Sequence, residues 1–173
     1  MAIAETTSQF TYHFEDEALI ERREAELFAF VDKHSQLSAH MTRRSWMMGG
    51  GRMNISTDAG GFQRLGSRLR LAGRAFGLNL VLEEVVTVYQ PPLVKIWKTV
   101  GAPKLLIIGD YKMGIDIRPD QSGALLRVFI DFNLPRGAIG QLLGYLLGSI
   151  YARWCVRNMV RDAKVHFSAA VPE

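Results

Sequence analysis

Cysteine is nearly absent from this sequence: Cys155 is the single one among 173 residues. One cysteine excludes an internal disulfide framework and any zinc site built from several cysteines. Long hydrophobic runs are missing too, because the longest uncharged stretch, 137–152, has 16 residues, fewer than the about 17–25 that a membrane-spanning helix needs. The first residues also lack the basic and apolar regions of a signal peptide. Together with the lone cysteine, this predicts a cytoplasmic protein.

The composition is that of a globular domain, with 48% hydrophobic and 22% charged residues. A chain of this length buries roughly 70% of the surface that it exposes when unfolded, which is enough for a stable core. We therefore predict a single domain over 8–167, with short tails at 1–7 and 168–173.

Charge is distributed unevenly along the chain. Residues 1–35 carry eight acids against three bases, and the remainder carries 18 bases against nine acids. A basic body attracts nucleic acid, anionic lipid or an acidic protein. No run of Lys and Arg with interleaved aromatic residues is present, so we predict no nucleic-acid partner. The simplest interpretation of the excess of bases over acids after residue 35 is a basic surface that is exposed to water.

Seven segments alternate apolar and polar residues, which is typical of half-buried strands. They are 9–14, 52–56, 62–72, 77–88, 93–99, 105–117 and 124–134. Between the first two segments, the acidic residues 15–17 suit the start of a helix, and 34–41 predicts a second short helix. Within 77–88, Glu84 shares a face with Leu80 and Leu82, but the inward register of 77–88 and of 93–99 stays undetermined by the pattern.

The last segment, about 136–167, predicts one long helix. At 100° per residue its small and buried-type residues form one stripe: Gly140, Gly144, Gly148, Ala152, Cys155 and Met159. A basic stripe lies on nearly the opposite side and consists of Arg153, Arg157, Arg161 and Lys164. The N-terminal continuation of that basic stripe is apolar and consists of Leu142, Leu143, Leu146 and Ile150.

This order of elements predicts an α+β fold, in which a curved antiparallel β-sheet wraps around a long C-terminal α-helix, with two short helices after the first strand. The stretches that define the order are FVDKHSQLSAHM at 30–41, SWMMGGGRM at 45–53, GSRLRLAG at 66–73, PPLVKIWKTVGAP at 91–103, LLIIGDYKMG at 105–114, LLRVFIDFNLP at 125–135 and YARWCVRNMV at 151–160. Over roughly residues 8–167 the sequence resembles the helix-grip fold of the SRPBCC superfamily, which includes lipid-transfer START domains, plant pollen-allergen-like proteins and polyketide cyclases/dehydrases. The resemblance implies a hydrophobic cavity more firmly than any reaction.

Cavity lining is the functional role that the residues support best. Large apolar side chains with a few polar tips are typical of sites for apolar ligands, and methionine adapts to ligands of different shape. The candidate ligand-binding residues are Trp46, Met47, Met48, Ser67, Leu80, Leu82, Glu84, Trp97, Tyr111, Met113, Val128, Ile130, Gly144, Tyr145 and Gly148. The alternative interpretation is that they form an ordinary core. The glycine stripe likewise allows either tight packing or open volume.

Catalytic candidates are few. If Glu84 lines a cavity, burial would raise its pKa and make it an acid or base; if the register shifts, it points to water instead. Tyr111 and His40 are the other weak candidates. His34 and His40 flank one predicted helix, but no metal-ligand spacing such as HExxH occurs, so we predict no metal site and no cofactor. Cys155 on the small-residue stripe is expected to be a buried apolar residue.

Three functions follow, in decreasing order of support. The first is binding or transport of a hydrophobic small molecule or lipid between the sheet and the C-terminal helix. The second is a cyclase- or dehydrase-like enzyme, which predicts that Glu84, Tyr111 or His40 converge on one point. The third is an interaction or chaperone-accessory domain with a closed cavity. The apolar helix face of Leu142, Leu143, Leu146 and Ile150 predicts a peripheral membrane contact, a ligand-supplying protein or a homodimer, unless the first two helices cover it.

Overall fold

The strands and helices of the protein lie close to the segments that the alternation predicts. The computed structural model describes residues 10–33, 53–75 and 78–169. Its elements are β1 (Tyr12–Ile20), α1 (Glu24–Val31), β2 (Met53–Thr57), β3 (Arg68–Ala75), β4 (Leu78–Gln90), β5 (Val94–Lys104), β6 (Tyr111–Asp120), β7 (Gly123–Phe132) and α2 (Ala138–Ser168).

The strands form one antiparallel sheet in the order β1-β7-β6-β5-β4-β3-β2. Consecutive strands are neighbours from β2 to β7, which requires only short turns, and β1 closes the other end against β7. The pairing of β4 with β5 shifts register twice, between Val81 and Glu83 and between Val86 and Val88. Such bulges bend strands, and the sheet curves around the long helix as predicted.

The first strand is longer than predicted, and the acidic residues 15–17 lie within it instead of beginning a helix. Every residue of β1 pairs with β7. Exposure alternates along the whole strand, and Glu15 on the outer face forms an ion pair with Arg127. These cross-strand contacts favour the extended conformation. The helix begins later, at Glu24.

Two other strands also begin later than predicted. Residues 62–67 form turns, and Leu65 is 66% exposed. Asp58 stabilises these turns because its carboxylate accepts hydrogen bonds from two backbone N–H groups and from the Ser67 hydroxyl. Residues 105–110 lie outside the sheet, and β6 begins at Tyr111. The helix predicted at 34–41 falls outside the described residues.

The inner face of the sheet forms the core together with α2. On β4 the buried residues are Leu80, Leu82, Glu84 and Val86, which settles the inward register of this strand. On β5 the inward residues are Lys95 and Trp97. The core therefore includes two ionisable side chains on neighbouring strands.

Helix α2 packs mainly on β1 and β7, with its small-residue stripe inward as predicted. Ala152, Cys155 and Met159 are buried. A Cβ atom at Gly144 or Gly148 would lie 3.0 or 2.9 Å from the carbonyl oxygen of Ile107, so glycine lets the helix contact segment 105–110 directly. Among the described residues, no helix is long and apolar enough to cross a membrane.

Candidate functional site

Three residues on adjacent strands form a row on the inner face. Glu84 on β4 pairs with Thr99 on β5, and the Thr99 hydroxyl accepts a hydrogen bond from the backbone N–H of Tyr111 on β6. Alternation within each strand turns Glu84 and Tyr111 into the interior. There the Tyr111 hydroxyl donates a hydrogen bond to Oε1 of Glu84. The strand register thus brings an acid and a phenol together.

Glu84 has an incomplete set of hydrogen bonds. Its side chain is buried, with 3% of the residue exposed. Oε2 has no hydrogen-bond partner, and it is the one such buried side-chain atom among the described residues. Buried polar atoms in folded proteins are nearly always paired, and an unpaired one costs roughly 1–3 kcal/mol. Oε2 therefore lacks a hydrogen bond of normal geometry, although the Trp97 indole lies near enough to the carboxyl group to lower its pKa.

Burial raises the pKa of Glu84 from 4.5 to about 7, because the charged form loses its hydration. The Tyr111 hydroxyl, the Trp97 indole and the positive charge of Lys95 act in the opposite direction. Near neutral pH the carboxyl group is therefore divided between its two forms. The charged form accepts hydrogen bonds only, whereas the neutral form also donates one.

Helix α2 contributes two more polar side chains to the same interior. Tyr151 and Cys155 lie one turn apart and are both buried. Burial raises the pKa of the Cys155 thiol to about 12, so the thiol stays neutral and is a poor nucleophile. Burial also raises the pKa of Tyr111 and of Tyr151 well above 10. Both phenols are therefore hydrogen-bond donors at neutral pH.

A second buried cluster contains Lys95, which is 0% exposed. Its Nζ lies 2.7 Å from Oδ1 of Asp32 and also donates to the backbone carbonyl oxygen of Asp32. Asp32 accepts further hydrogen bonds from the Tyr89 hydroxyl and the Gln63 amide. Burial lowers the pKa of Lys95, and the Asp32 carboxylate opposes this effect. Because Asp32 is the C-terminal cap of α1, the ion pair fixes the end of α1 on the sheet.

Most of the candidate ligand-binding residues within the described segments point to this interior. The apolar ones on the inner face are Leu80, Leu82, Trp97, Met113, Val128 and Ile130. Glu84 and Tyr111 lie with them. Trp46, Met47, Met48, His34 and His40 fall outside the described residues. In the part of the chain that the structure describes, no group of three or more His, Cys, Asp and Glu side chains is placed to hold a metal ion.

Four of the candidate ligand-binding residues do not face open space in the interior of the protein. Tyr145 is 72% exposed, because it lies 100° around the helix from the inward residue Gly144. Gly144 and Gly148 pack against the Ile107 carbonyl and leave no room for a ligand beside them. The buried Ser67 hydroxyl accepts from the Phe62 N–H and donates to Asp58. Both hydrogen bonds of this hydroxyl group are therefore made within the turn.

Lys95, Asp32 and Tyr151 are among the buried polar residues that the sequence interpretation missed. Lys95 follows the same alternation as Trp97 on β5, which is a signal for an inward cation. A lysine so placed requires a buried acid nearby, but its partner lies 63 residues earlier in the chain. Tyr151 precedes Ala152 of the predicted inward stripe and lies beside it on the helix.

No protein-family model matches the chain, and no curated protein sequence matches it significantly. Solved structures do match its fold. The Thermus thermophilus protein TTHA0849 has a TM-score of 0.64 at 14% identity, with 93% of this chain and 100% of that chain covered. The major latex-like protein 151 of Panax ginseng has a TM-score of 0.58 at 12% identity, with 95% and 100% covered.

The two-domain ARO/CYC protein BexL, from the BE-7585A biosynthetic pathway, has a TM-score of 0.60 at 18% identity. The match covers 96% of this chain and 53% of BexL, so this chain is similar in extent to about one half of that protein. At such identities the likeness is one of fold and not of activity. The chain has the helix-grip fold, with a curved antiparallel sheet around a long C-terminal helix.

Proposed function

We propose that the chain binds a hydrophobic small molecule or lipid between the inner face of its sheet and helix α2, and that Glu84 holds the polar end of this molecule. The observation that carries the proposal is the buried, unpartnered Oε2 of Glu84. A hydroxyl group of a ligand would donate to Oε2 when the carboxyl group is charged, and a ligand carbonyl would accept from the neutral form. Either contact offsets the cost of the unpaired atom.

The surroundings of Glu84 support an apolar body for this ligand. Leu80 and Leu82 precede Glu84 on the inward side of β4, and Trp97 and Met113 follow on the next two strands. Binding sites for small molecules combine such an apolar lining with a few polar groups that set orientation. Helix α2 packs mainly on β1 and β7, whereas Glu84 lies three strands beyond β7 in the sheet order. The proposed ligand therefore lies against the β4 side of the inner face, beyond the strands on which α2 mainly packs.

Native mass spectrometry of protein purified without detergent tests this proposal, with organic extraction to identify any released molecule. We expect wild type to retain a discrete hydrophobic mass, and Glu84→Leu to lose it because the polar anchor is gone. Glu83→Gln is the matched control, since Glu83 faces the outside beside Arg70 and should retain the mass. Retention of the same mass by folded Glu84→Leu would contradict the proposal.

A proton-transferring enzyme of the cyclase or dehydrase kind is the second candidate, and one observation favours it. Glu84 and Tyr111 converge in the interior, and a carboxyl group with a pKa of about 7 suits general acid–base catalysis at neutral pH. Incubation of the released molecule with fresh protein separates the two functions. A carrier returns it unchanged, whereas an enzyme converts it in wild type and not in Glu84→Gln.

A further inference from the structure

The outward face of α2 changes in chemical character along its length. Over the first half of the helix it carries five large apolar side chains that are each 57–78% exposed: Ile139, Leu142, Tyr145, Leu146 and Ile150. We call these five residues the apolar face; of the residues predicted for it, Leu142, Leu146 and Ile150 belong to it, whereas Leu143 is half-buried. From Arg153 onward, exposed Arg and Lys residues continue the same stripe. No acidic residue occurs in α2 before Asp162. So many exposed apolar side chains on one helix are unusual for a monomer that contacts only water.

Cations also lie at the other end of the apolar face. A cleft of about 440 Å³ adjoins the start of α2, and its walls include Lys98, Lys104 and Arg136. Among the described residues, the one acid in the cleft is Asp110, which accepts a hydrogen bond from the Asn133 amide. The cleft therefore has an excess of positive charge.

The cleft and the apolar face are neighbours along the chain. Pro135 and Arg136 line the cleft, and Ile139, the first residue of the apolar face, follows three residues after Arg136 in the first turn of α2. An apolar helix face with cations at both of its ends has the composition of elements that bind membrane interfaces.

We propose that this surface docks on an anionic membrane, with the apolar face inserted among the acyl chains and the flanking cations at lipid phosphates. Tyrosine suits the headgroup level because it has an apolar ring and a polar tip, and Tyr145 occupies the middle of the apolar face. Lys104 and Arg136 at one end and Arg153 at the other end attract the negative surface of the bilayer. Thr99, the strand partner of Glu84, also lines the cleft, but the apolar face and its flanking cations do not include Glu84 or Tyr111, so the inference does not depend on the proposed ligand.

A second copy of the chain suits this surface less well than a membrane does. In a symmetric dimer the same patch meets itself, so the cations that flank one apolar face would approach those of its partner. Like charges held together in an interface are unfavourable. An anionic bilayer provides both the apolar interior and the opposite charge.

Vesicle flotation tests the proposal with full-length protein and two lipid compositions, phosphatidylcholine alone and phosphatidylcholine with phosphatidylglycerol. We expect wild type to float with the anionic vesicles, and high salt to weaken this binding. Leu142→Glu combined with Leu146→Glu should reduce binding at least roughly 10-fold, since two apolar side chains no longer enter the bilayer. The matched control is Leu65→Glu, an exposed leucine beside β3 at the other end of the sheet, which should bind like wild type.

Charge reversal tests the cationic part separately. Lys104→Glu combined with Arg136→Glu should lower binding to anionic vesicles by roughly 10-fold or more, whereas Arg70→Glu on the outer face of β3 should leave it unchanged. Absence of wild-type flotation with anionic vesicles, or an equal loss in the Leu65→Glu control, would overturn the proposal. A dimer in light scattering that Leu142→Glu with Leu146→Glu makes monomeric, without vesicle binding, would assign the surface to a second copy instead.

Discussion

Replacing Lys95 with methionine is expected to lower the free energy of unfolding by roughly 3–5 kcal/mol, the cost of removing one partner of a buried ion pair. Lys95 is fully buried and bonds both the carboxylate and the carbonyl oxygen of Asp32. Methionine fills a similar volume, so the loss reports the uncompensated charge on Asp32 more than a cavity. Urea unfolding of wild type and Lys95→Met measures the difference.

Two comparisons make this result specific to the buried pair. Lys112→Met breaks the more exposed ion pair with Asp131 and should cost less than about 1 kcal/mol. Asp32→Asn added to Lys95→Met removes the unpaired charge, and we expect it to restore a large part of the lost stability. A loss in Lys95→Met no larger than that in Lys112→Met would contradict the burial of this pair.

Wild type and Glu84→Gln are expected to differ in stability by an amount that depends on pH. The pKa of Glu84 is about 7 in the folded protein, whereas the ordinary value of 4.5 applies to the unfolded chain. The folded protein therefore binds the proton more tightly, and the neutral carboxyl group contributes stability that is fully present below pH 4.5. This contribution is lost as the pH rises through about 7. Glutamine has the same shape but does not titrate, so the variant lacks this dependence.

The expected change is roughly 2–3 kcal/mol in the stability of ligand-free wild type relative to Glu84→Gln between about pH 5 and pH 8.5. Urea unfolding at the two pH values measures it, because the titration of all other groups is common to both proteins. Glu83 lies on the outer face, so the difference in the free energy of unfolding between wild type and Glu83→Gln should change by less than about 0.5 kcal/mol between the two pH values. If the difference between wild type and Glu84→Gln were the same at both pH values, Glu84 would have to be in contact with water.

The fold could be predicted from the sequence because the apolar patterns are strong where the elements are long. The stripe containing Ala152, Cys155 and Met159 identified the inward face of α2 from its helical period alone. Alternation on β4 placed Leu80, Leu82 and Glu84 together, and the structure turns all three inward. The errors lie at element boundaries. There, contacts between distant residues, such as Glu15 with Arg127, decide between strand and helix.

The candidate site could be predicted only in part. The sequence placed Glu84 and Tyr111 on strands, but their hydrogen bond depends on the register of β4, β5 and β6, which alternation does not determine. The glycines of α2 indicated either close packing or free space. Whether the space beside these glycines is filled depends on segment 105–110. This segment lies outside the sheet and brings the Ile107 carbonyl against Gly144 and Gly148. The Lys95–Asp32 pair joins two elements that no local pattern connects.

The central claim is that Glu84 anchors the polar end of an apolar ligand, and a pair of matched probes tests it most directly. The affinities of 4-octylphenol and octylbenzene are measured by displacement of a neutral fluorescent probe, 1-aminoanthracene, from wild type and from Glu84→Leu. We expect wild type to bind the phenol at least about 10-fold more tightly, because its hydroxyl donates to Oε2, and Glu84→Leu to bind both probes almost equally. Equal affinities in wild type, or a preference for the phenol that survives in folded Glu84→Leu, would contradict the claim.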